Sequence, residues 1–567
     1  MGAEHIAAAS DGVTRERNIE AQSAFASTLV VDVEKAAHSK EAPTDRPHTN
    51  VYGSTIDTPT SIAGTDAVYA AKAALLNQAM LDMGIGLYQW FLFIITSVGW
   101  FLDSFWLMSF TVIAPSSANE AQFFYTDNKE AYLFISLYVG LTTGATAWPW
   151  MSDMLGRKWI FTSTLVLMGM GGLVGAGMPS FTGLCVVGFV VGFAVAGNQV
   201  VDAMVLLESV PASHQFLVSM QGAMWGLGQL VAAAVGWAFI AEYTCGTGPD
   251  EISTGAALSH QSRADHSGSS SSSSQCHYVS NKGWRYVWWT FGCMTLFLYL
   301  CRFSFPLRET PKYLLSKRRD AETTQLVKDI AAYSNRKTWL EESSFARIDS
   351  TVDASAPESR RQSRTKSLLS SAGAIGLPVL CLLWAITGLT FTLHKTYISK
   401  YLATKGVDAV SATSVTTGYL YSRYLYVALC AIPGPIVVGL LIEAKGLGRK
   451  CTGSIIAVLT GLFMFLATVS RSRDALLAFE CILSFLQTAT MAVLVTYSVE
   501  VFAAPFRGFG LGVVGFCWGL FGLIASIITT FEGAVADGAA VWFCGAVWVI
   551  MGGAWMAVPE TKGRAAA

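Results

Sequence analysis

The sequence predicts an all-α membrane protein with twelve transmembrane helices in two pseudo-symmetric six-helix bundles. Hydrophobic residues make up 52% of the 567 residues and charged residues only 14%, whereas a soluble domain carries about 25% charged residues. Apolar stretches long enough to span a bilayer, about 20 residues each, recur along the chain. They are rich in Gly, Ala and Leu and do not alternate polar with apolar residues, which argues against a transmembrane β-barrel.

The predicted spans fall into two groups of six that flank a long polar segment. The first group comprises residues 90–114, 130–150, 158–178, 182–207, 216–241 and 285–306. The second group comprises residues 375–396, 415–442, 451–469, 474–499, 508–530 and 539–558. We therefore expect an N-terminal bundle over residues 86–306 and a C-terminal bundle over residues 375–558.

Polar segments account for the remainder of the chain. Outside the spans these segments are residues 1–85, 242–283, 307–374 and 559–567. The first has no apolar core, which is typical of a disordered tail, although a short amphipathic helix is expected from about Ala67 to Met83. The Ser- and Gly-rich tract at 267–274 predicts a flexible linker.

The positions of Lys and Arg predict the orientation in the membrane, because basic loops favour the cytosolic side. Thirteen of the 38 basic residues lie in residues 307–373. This central loop and, with an even number of spans, both termini are expected in the cytosol, and residues 242–283 on the opposite side. We expect an integral plasma-membrane protein. The net charge of −1 offers no basic surface for a nucleic-acid partner.

The eleven cysteines divide into two groups. Nine lie in or beside predicted spans, where a cysteine is usually a small apolar packing residue. Cys245 and Cys276 instead share the exofacial loop, 242–283. Because both lie on the oxidising side, we predict a disulfide between them. Two free thiols are the alternative.

Two short charged motifs occur once in each half of the chain. The first contains Arg157 and recurs at Arg449, and the second contains Glu208 and recurs at Glu500. In both cases 292 residues separate the two copies. An offset shared by two motifs indicates a duplicated six-helix unit.

At these motifs the sequence resembles the major facilitator superfamily of membrane transporters. That family carries G-x-x-x-D-x-x-G-R-R/K after spans 2 and 8. The matching residues are Asp153, Gly156, Arg157 and Lys158 in the first copy and Gly439, Glu443, Gly448, Arg449 and Lys450 in the second. Pro149 replaces the first glycine of the first copy, and the second copy has two extra residues before its Gly-Arg pair.

The sugar-porter branch of this superfamily adds E-x-x-P-x-x-x-R-G after spans 4 and 10. The matching residues are Glu208 and Pro211 in the first copy and Glu500, Arg507 and Gly508 in the second. Gln215 replaces the first Arg, and the second proline shifts to Pro505. Residues 307–314 and 559–563 are similar to the segments that follow spans 6 and 12 in sugar porters.

A closer resemblance is to the synaptic-vesicle-glycoprotein-like transporters, a group with many fungal members that is allied to organic-ion carriers. It is carried by residues 99–103, 197–202 and 432–434. Taken together, the resemblance covers about residues 85–563 and implies two six-helix bundles that open alternately to the two sides of a membrane.

Two acidic residues lie within predicted spans. A carboxylate there costs about 3 kcal/mol or more to insert, so it needs a partner or a water-filled cavity. Asp103 lies near the middle of span 1 and Asp202 in the inner half of span 4. Both are candidates for proton coupling, and the resemblance supports Asp103 because relatives often use a span 1 Asp. The alternatives are structural, with Asp103 held by Ser104 and Asp202 bonded to span 1 or 2.

Arg423 lies in the outer half of span 8, where an uncompensated guanidinium is costly. Its partner could be Glu480, Asp103 or a bound substrate, and its planar fork fits a carboxylate in a bidentate manner. The resemblance favours a substrate, since organic-anion carriers often have a span 8 Arg. An internal ion pair is an equal alternative. Glu480, early in span 10, is more simply explained as a carboxylate that reaches the headgroups.

Polar and aromatic side chains near the expected cavity could contact a substrate. These candidates are Gln199, Trp225, Gln229, Tyr419 and Gln487. Packing and interfacial belts are the alternative for the aromatic ones. A second set of residues is expected at the cytosolic mouth, where charge pairs could hold the two halves together: Asp153, Arg157, Lys158, Glu208, Glu443, Arg449, Lys450, Glu500 and Arg507. A purely topological role is the alternative for the basic residues.

The sequence has no Walker loop, no G-x-S-x-G and no H-E-x-x-H motif, so neither an enzyme nor an ATP-driven pump is expected, and no cofactor or metal. We expect a monomeric secondary transporter whose partners are a small-molecule substrate, protons and the lipid bilayer. Arg423 favours proton-coupled symport of a carboxylate-bearing metabolite. A sugar or polyol is the alternative, on the ending at 559–563, and a non-transporting membrane sensor is a second alternative.

Overall fold

The computed structural model of the protein describes residues 48–49, 55–56, 67–120, 129–243, 281–303, 305–353, 376–405, 417–470, 472–531 and 539–562. This part of the chain is helical, apart from connecting turns and one antiparallel pair of two-residue strands, His48–Thr49 with Thr55–Ile56. The predicted disulfide between Cys245 and Cys276 and the Ser-rich tract lie outside the described residues.

In the described part of the chain, eight α-helices form the first half of the molecule. They are α1 Ala67–Met83, α2 Leu87–Ala118, α3 Glu130–Leu155, α4 Arg157–Ala176, α5 Phe181–Ser209, α6 Leu217–Gln221, α7 Ala223–Tyr243 and α8 Gly283–Arg302. Three shorter helices follow: α9 Pro311–Ser316, α10 Asp320–Tyr333 and α11 Glu342–Asp353. The first part of the central loop is therefore helical.

Among the residues that the structure describes after position 375, seven α-helices form the second half. They are α12 Gly376–Lys405, α13 Thr417–Ala431, α14 Pro433–Leu441, α15 Gly448–Thr468, α16 Arg473–Val501, α17 Ala504–Phe531 and α18 Ala539–Trp555. The break between α13 and α14 falls at Pro433, whose ring removes a backbone donor at the first position of α14.

The helices coincide with the predicted spans. Within the described residues, nine helical segments are long and apolar enough to cross a bilayer. The shorter apolar helix α18 lies at the twelfth predicted span, and α3 and α8 lie at the second and the sixth. The predicted all-α membrane fold is confirmed, and the count of twelve crossings stays a prediction.

The two halves meet along two helix pairs, α3 with α17 and α7 with α13. Each pair joins the second predicted span of one half to the fifth of the other, as expected if the halves are related by a pseudo-twofold axis. The approach of α7 depends on Gly226, because a Cβ there would lie 2.7 Å from the backbone nitrogen of Ile432. Small residues at such points let membrane helices pack closely.

The N-terminal helix α1 lies against one end of the bundle. We call this end the inner face, defined by Arg157, Arg449 and Arg507, and the opposite end the outer face. A helix at Ala67–Met83 is confirmed, but its expected amphipathic character is wrong. The helix is buried around most of its circumference, and Leu81 and Asp82 are its exposed residues.

Contacts of α1 explain this burial. Leu76 is fully buried in a cluster that also contains Leu315 of α9 and Phe345 of α11. The same cluster includes Ala504, the first residue of α17 in the second half. An apolar helix therefore covers the inner end of the bundle and contacts both halves.

One buried lysine fixes α1 to the central helices. The Nζ atom of Lys72 donates to Asp320 of α10 at 2.5 Å and to Asp349 of α11 at 2.7 Å. Burial alone lowers the pKa of Lys72, but the two carboxylates outweigh it and hold the pKa above its ordinary value. The two ion pairs hold α1, α10 and α11 together.

Candidate transport site and inner charge cluster

A cavity of about 790 Å³, including its open mouth, lies between the halves. Its walls come from α2 and α7 of the first half and from α12, α13 and α16 of the second. The lining residues are Met108, Thr111, Gln229, Phe391, His394, Arg423, Tyr424, Val427, Ala428, Glu480, Ser484, Gln487 and Thr488. Several of these lie within the first few turns of helices that begin at the outer face, which places the cavity toward that face.

A buried ion pair forms part of the cavity wall. The guanidinium of Arg423 on α13 meets the carboxylate of Glu480 on α16 through two atom pairs, Nε with Oε2 and Nη2 with Oε1. The two side chains are only 4% and 6% exposed. Among the partners predicted for Arg423, Glu480 is the one in contact. The expected headgroup-level position of Glu480 is wrong, because its carboxylate is buried against this arginine.

Polar side chains continue the wall along α16. The Nε2 atom of Gln487 lies 3.5 Å from Nδ1 of His394 on α12. The hydroxyls of Ser484 and Thr488 donate to backbone carbonyls of α13, at Val427 and Ala431. The Gln487 amide and the His394 imidazole are therefore two of the polar groups of the cavity wall that could meet a polar solute.

The structure places the residues that were predicted to contact a substrate in three different ways. Gln229 and Gln487 line the cavity. Trp225 packs edge-on against Trp100 at 6.2 Å between ring centroids, and neither it nor Gln199 is among the lining residues. The side chain of Tyr419 lies outside the described residues.

Asp103 and Asp202 lie outside this cavity but are brought together by a third residue. The Nδ2 atom of Asn198 on α5 donates to Oδ1 of Asp103 at 3.0 Å and to Oδ2 of Asp202 at 2.9 Å. All three side chains are buried. The second oxygen of each carboxylate, Oδ2 of Asp103 and Oδ1 of Asp202, has no hydrogen-bond partner in the described part of the chain. Each carboxylate thus keeps one oxygen on which a proton could reside.

A glycine makes room for this cluster. Gly99 on α2 faces Asp202, and a Cβ at this position would overlap the carboxylate. The close approach of α2 to α5 therefore needs a residue without a side chain here. This observation gives a physical reason for the first residue of the 99–103 motif.

At the inner face, one ion pair crosses between the halves. The Nη1 atom of Arg507 on α17 lies 2.9 Å from Oε1 of Glu208 on α5, and both side chains are fully buried. Arg157 of α4 lies 3.6 Å from Glu208 and 3.4 Å from Asp153. The hydroxyl of Thr310 donates to Glu208 at 2.5 Å. The carboxylate of Glu208 is thus held by residues of both halves.

The related cluster of the second half stays within that half. Arg449 lies 3.0 Å from Glu500 and 2.8 Å from Glu443. Thr561 donates to Glu500 at 2.6 Å, as Thr310 does to Glu208. The two copies therefore share an arginine, a glutamate and a threonine.

The two remaining lysines of the predicted set are not fully buried. Lys158 is exposed and Lys450 is half-buried. Gln215, which replaces the family's Arg, is buried. Lys312 of α9 is buried close to Arg507, and burial together with the charge of Arg507 lowers the pKa of Lys312 to about 7.

Two glutamates that were not predicted as site residues cap the helices after the repeated loops. Oε1 of Glu309 accepts from the backbone N–H of Arg157 at 3.0 Å. Glu560 accepts from the backbone N–H groups of Arg449 at 2.9 Å and Lys450 at 3.0 Å. A carboxylate at a helix N-terminus satisfies open donors and the helix dipole. Both residues belong to segments 307–314 and 559–563, where their charge was the available signal.

The two capping glutamates differ in the direction in which their pKa is shifted. Burial raises the pKa of Glu309 above its ordinary value, although backbone N–H donors oppose this effect. Burial also acts to raise the pKa of Glu560, but four backbone donors outweigh it and the pKa lies below the ordinary value. Glu560 is therefore the more firmly ionised cap.

The fold and the cavity between its halves define a membrane transport protein. The family model described as sugar (and other) transporter matches residues 87–566. The chain therefore belongs to this family of major facilitator transporters.

Relatives that are named for a substrate differ in that substrate. MFS siderochrome iron transporter 1 of Ceriporiopsis subvermispora is 33% identical over 518 residues, which cover 88% of this chain and 92% of that protein. The niacin transporter NiaP of Acinetobacter baylyi is 24% identical, over 81% of this chain and 90% of its own. The solved structure of the proton:xylose symporter XylE has a TM-score of 0.62 and 17% identity, over 84% of this chain and 98% of its own. This last likeness supports the fold alone.

Proposed function

We propose that the protein is a proton-coupled secondary transporter of a small organic solute that bears a carboxylate. The observation that carries this proposal is the buried guanidinium of Arg423 in the wall of the cavity between the halves. A guanidinium is suited to bidentate recognition of a carboxylate. One relative is named as a niacin transporter, and niacin, a pyridine carboxylate, is consistent with this choice.

The cluster of Asp103, Asn198 and Asp202 is proposed to carry the coupling proton. Two buried carboxylates that share one amide repel each other when both are ionised, so the cluster favours holding a proton. Because the cluster joins α2 to α5, a change in its charge would alter how these helices pack. Proton binding could thereby shift the balance between two arrangements of the halves.

The inner charge cluster is proposed to act as a gate. Opening the inner face requires the contact between Arg507 and Glu208 to break, because these residues belong to different halves. In the same proposal the inner face is cytosolic, both chain termini lie on that side, and the protein works as a monomer in the plasma membrane. Alternation then follows from rocking of the two bundles about the central cavity.

A sugar or polyol is the second candidate substrate. The family description and the amides of Gln229 and Gln487 in the cavity wall favour it, since amides pair well with hydroxyl groups. The guanidinium of Arg423 favours the carboxylate, because its planar fork pairs with a carboxylate in a bidentate manner.

Uptake into proteoliposomes with an imposed pH gradient tests the proposal. Nicotinate and benzoate should accumulate when the outside is acidic, whereas nicotinamide, the neutral amide of the same ring, should not. Xylose in the same preparation tests the alternative. Accumulation of xylose without nicotinate or benzoate would replace the carboxylate proposal by the sugar one. No uptake of any of them in a preparation that retains its fold would contradict both.

A further inference from the structure

The pairing of Arg423 with Glu480 raises a difficulty for any anionic solute. The cavity wall carries one cation and one anion in direct contact, so the pair contributes no net charge. A carboxylate that approaches Arg423 meets Glu480 at the same place, and two carboxylates would then compete for one guanidinium. Like charges at this distance repel strongly where water is scarce.

We propose that Glu480 is the proton site of substrate binding, so that a proton on its carboxylate releases Arg423 to bind the carboxylate of the solute. The inference rests on the proposed function. One proton then enters the cavity with each anion, and the total charge in the cavity is the same before and after binding. The group that excludes the anion in the empty site becomes the group that makes binding pH-dependent.

This assignment separates two acidic sites. Asp103 and Asp202 lie outside the cavity and are joined by Asn198. They cannot compensate the charge of a solute that contacts Arg423. Glu480 faces the cavity itself, and it therefore determines affinity and specificity, while the Asp103 cluster concerns the packing of α2 on α5.

Other titratable groups face Glu480 and must be tested. His394 reaches the cavity from α12, and Arg423 and Tyr424 from α13. Cys481, next to Glu480 on α16, is hydrogen-bonded to Cys430 of α13. From the first half, the lining residues Met108, Thr111 and Gln229 carry no titratable side chain. Among these groups, His394 is the one whose ordinary titration falls near neutral pH.

The test is the pH dependence of benzoate binding to the purified full-length protein. Binding is measured by calorimetry between about pH 5.5 and about pH 8, a range in which benzoate stays ionised. The wild-type dissociation constant should rise by up to about tenfold per pH unit above the titration of Glu480. Calorimetry in buffers of different ionisation enthalpy should show uptake of about one proton per benzoate at the alkaline end. Glu480→Gln should abolish both effects, and it should bind benzoate most strongly relative to wild type at high pH.

Three variants serve as controls. Glu480→Asp keeps a titratable carboxylate and should retain the pH dependence. His394→Gln removes the group of the cavity wall that ordinarily titrates near neutral pH, and whatever its effect on affinity, the pH dependence of benzoate binding should remain that of the wild type. Glu322→Gln removes an exposed glutamate that is paired with Arg319 outside the cavity, and it should leave both the affinity and its pH dependence unchanged.

The outcomes are distinguishable. If the pH dependence of benzoate binding persists in Glu480→Gln, or disappears in His394→Gln, the inference is overturned and the proposed function still stands. Wild-type protein that transports xylose and binds no benzoate would overturn both. Because the buried Arg423 loses its ion pair with Glu480 in the single variant, which can impair folding, Arg423→Gln with Glu480→Gln removes both charges. This double variant should show a cooperative thermal unfolding transition, as expected of a folded protein, and it should bind no benzoate. Benzoate binding by the double variant would also overturn the inference.

Discussion

Breaking the ion pair that crosses the inner face should open that face. In Arg507→Met, Glu208 loses its partner at 2.9 Å and keeps Arg157 and the hydroxyl of Thr310. Removing one partner of a buried ion pair costs about 3–5 kcal/mol. Because two partners remain, we expect a loss of about 2–3 kcal/mol in the closed arrangement, which shifts the equilibrium about 30- to 150-fold toward the open one.

Two backbone contacts of Arg507 do not bias this equilibrium. Its Nε atom donates to the backbone carbonyls of Val499 and Phe502, at 2.9 Å and 3.1 Å. Both carbonyls belong to the same half as Arg507, so these bonds are lost in the open and the closed arrangement alike. They lower the stability of the fold without favouring either arrangement.

The distance between the halves can be measured with spin labels at positions 158 and 450. These lysines directly follow Arg157 and Arg449, one in each half, and Lys158 is exposed. In a background without native cysteines, double electron–electron resonance on Arg507→Met should show a larger population of long distances. Arg449→Met is the matched control, because it breaks ion pairs that lie within the second half. An unchanged distribution in Arg507→Met, or an equal change in Arg449→Met, would refute the reasoning.

Three further changes follow from the same structure. Asp103→Asn should abolish pH-driven accumulation of nicotinate and spare counterflow, and unchanged accumulation would exclude Asp103 as a coupling site. Lys312→Met should raise the thermal midpoint most near about pH 6. The pKa of Lys312 is lowered to about 7 by burial and by Arg507. Above that pH the folded protein binds fewer protons than the unfolded chain, so wild-type stability should rise with pH there. A thermal midpoint that is insensitive to the substitution would contradict this expectation. Lys72→Ala should lower the midpoint by the equivalent of about 1–3 kcal/mol, whereas Lys328→Ala, an exposed lysine of α10, should not; equal effects would argue against a special role of the α1 ion pairs.

The length and apolar character of the spans were enough to predict the helices. Each span stands out because about 20 uncharged residues in succession have few alternatives to a membrane helix. Charged residues inside such runs are equally conspicuous, which is why Asp103, Asp202 and Arg423 could be selected directly. Their partners are harder to find. Arg423 and Glu480 are 57 residues apart, and nothing in the pattern of either helix indicates that they touch.

Asn198 and His394 were missed for a related reason. Asn198 joins the two aspartates, yet an amide in a membrane helix is far less costly than a charge and does not stand out. His394 was not selected because its position near the end of a span is also that of an ordinary interfacial residue. The burial of α1 depends on a surface made by α9, α11 and α17, and a local pattern cannot reveal a surface assembled from distant segments.

The central claim is that Arg423 binds the carboxylate of a solute that is moved with protons. The most direct test is uptake of radiolabelled nicotinate into proteoliposomes under an inward proton gradient, with wild-type protein and Arg423→Lys compared at equal reconstituted amounts. Lysine keeps the charge and lacks the planar fork. We expect accumulation above equilibrium by the wild type, its collapse when the gradient is dissipated, and a loss of at least about tenfold in the variant. Undiminished accumulation by Arg423→Lys, or a wild-type protein that gains nothing from the gradient, would contradict it.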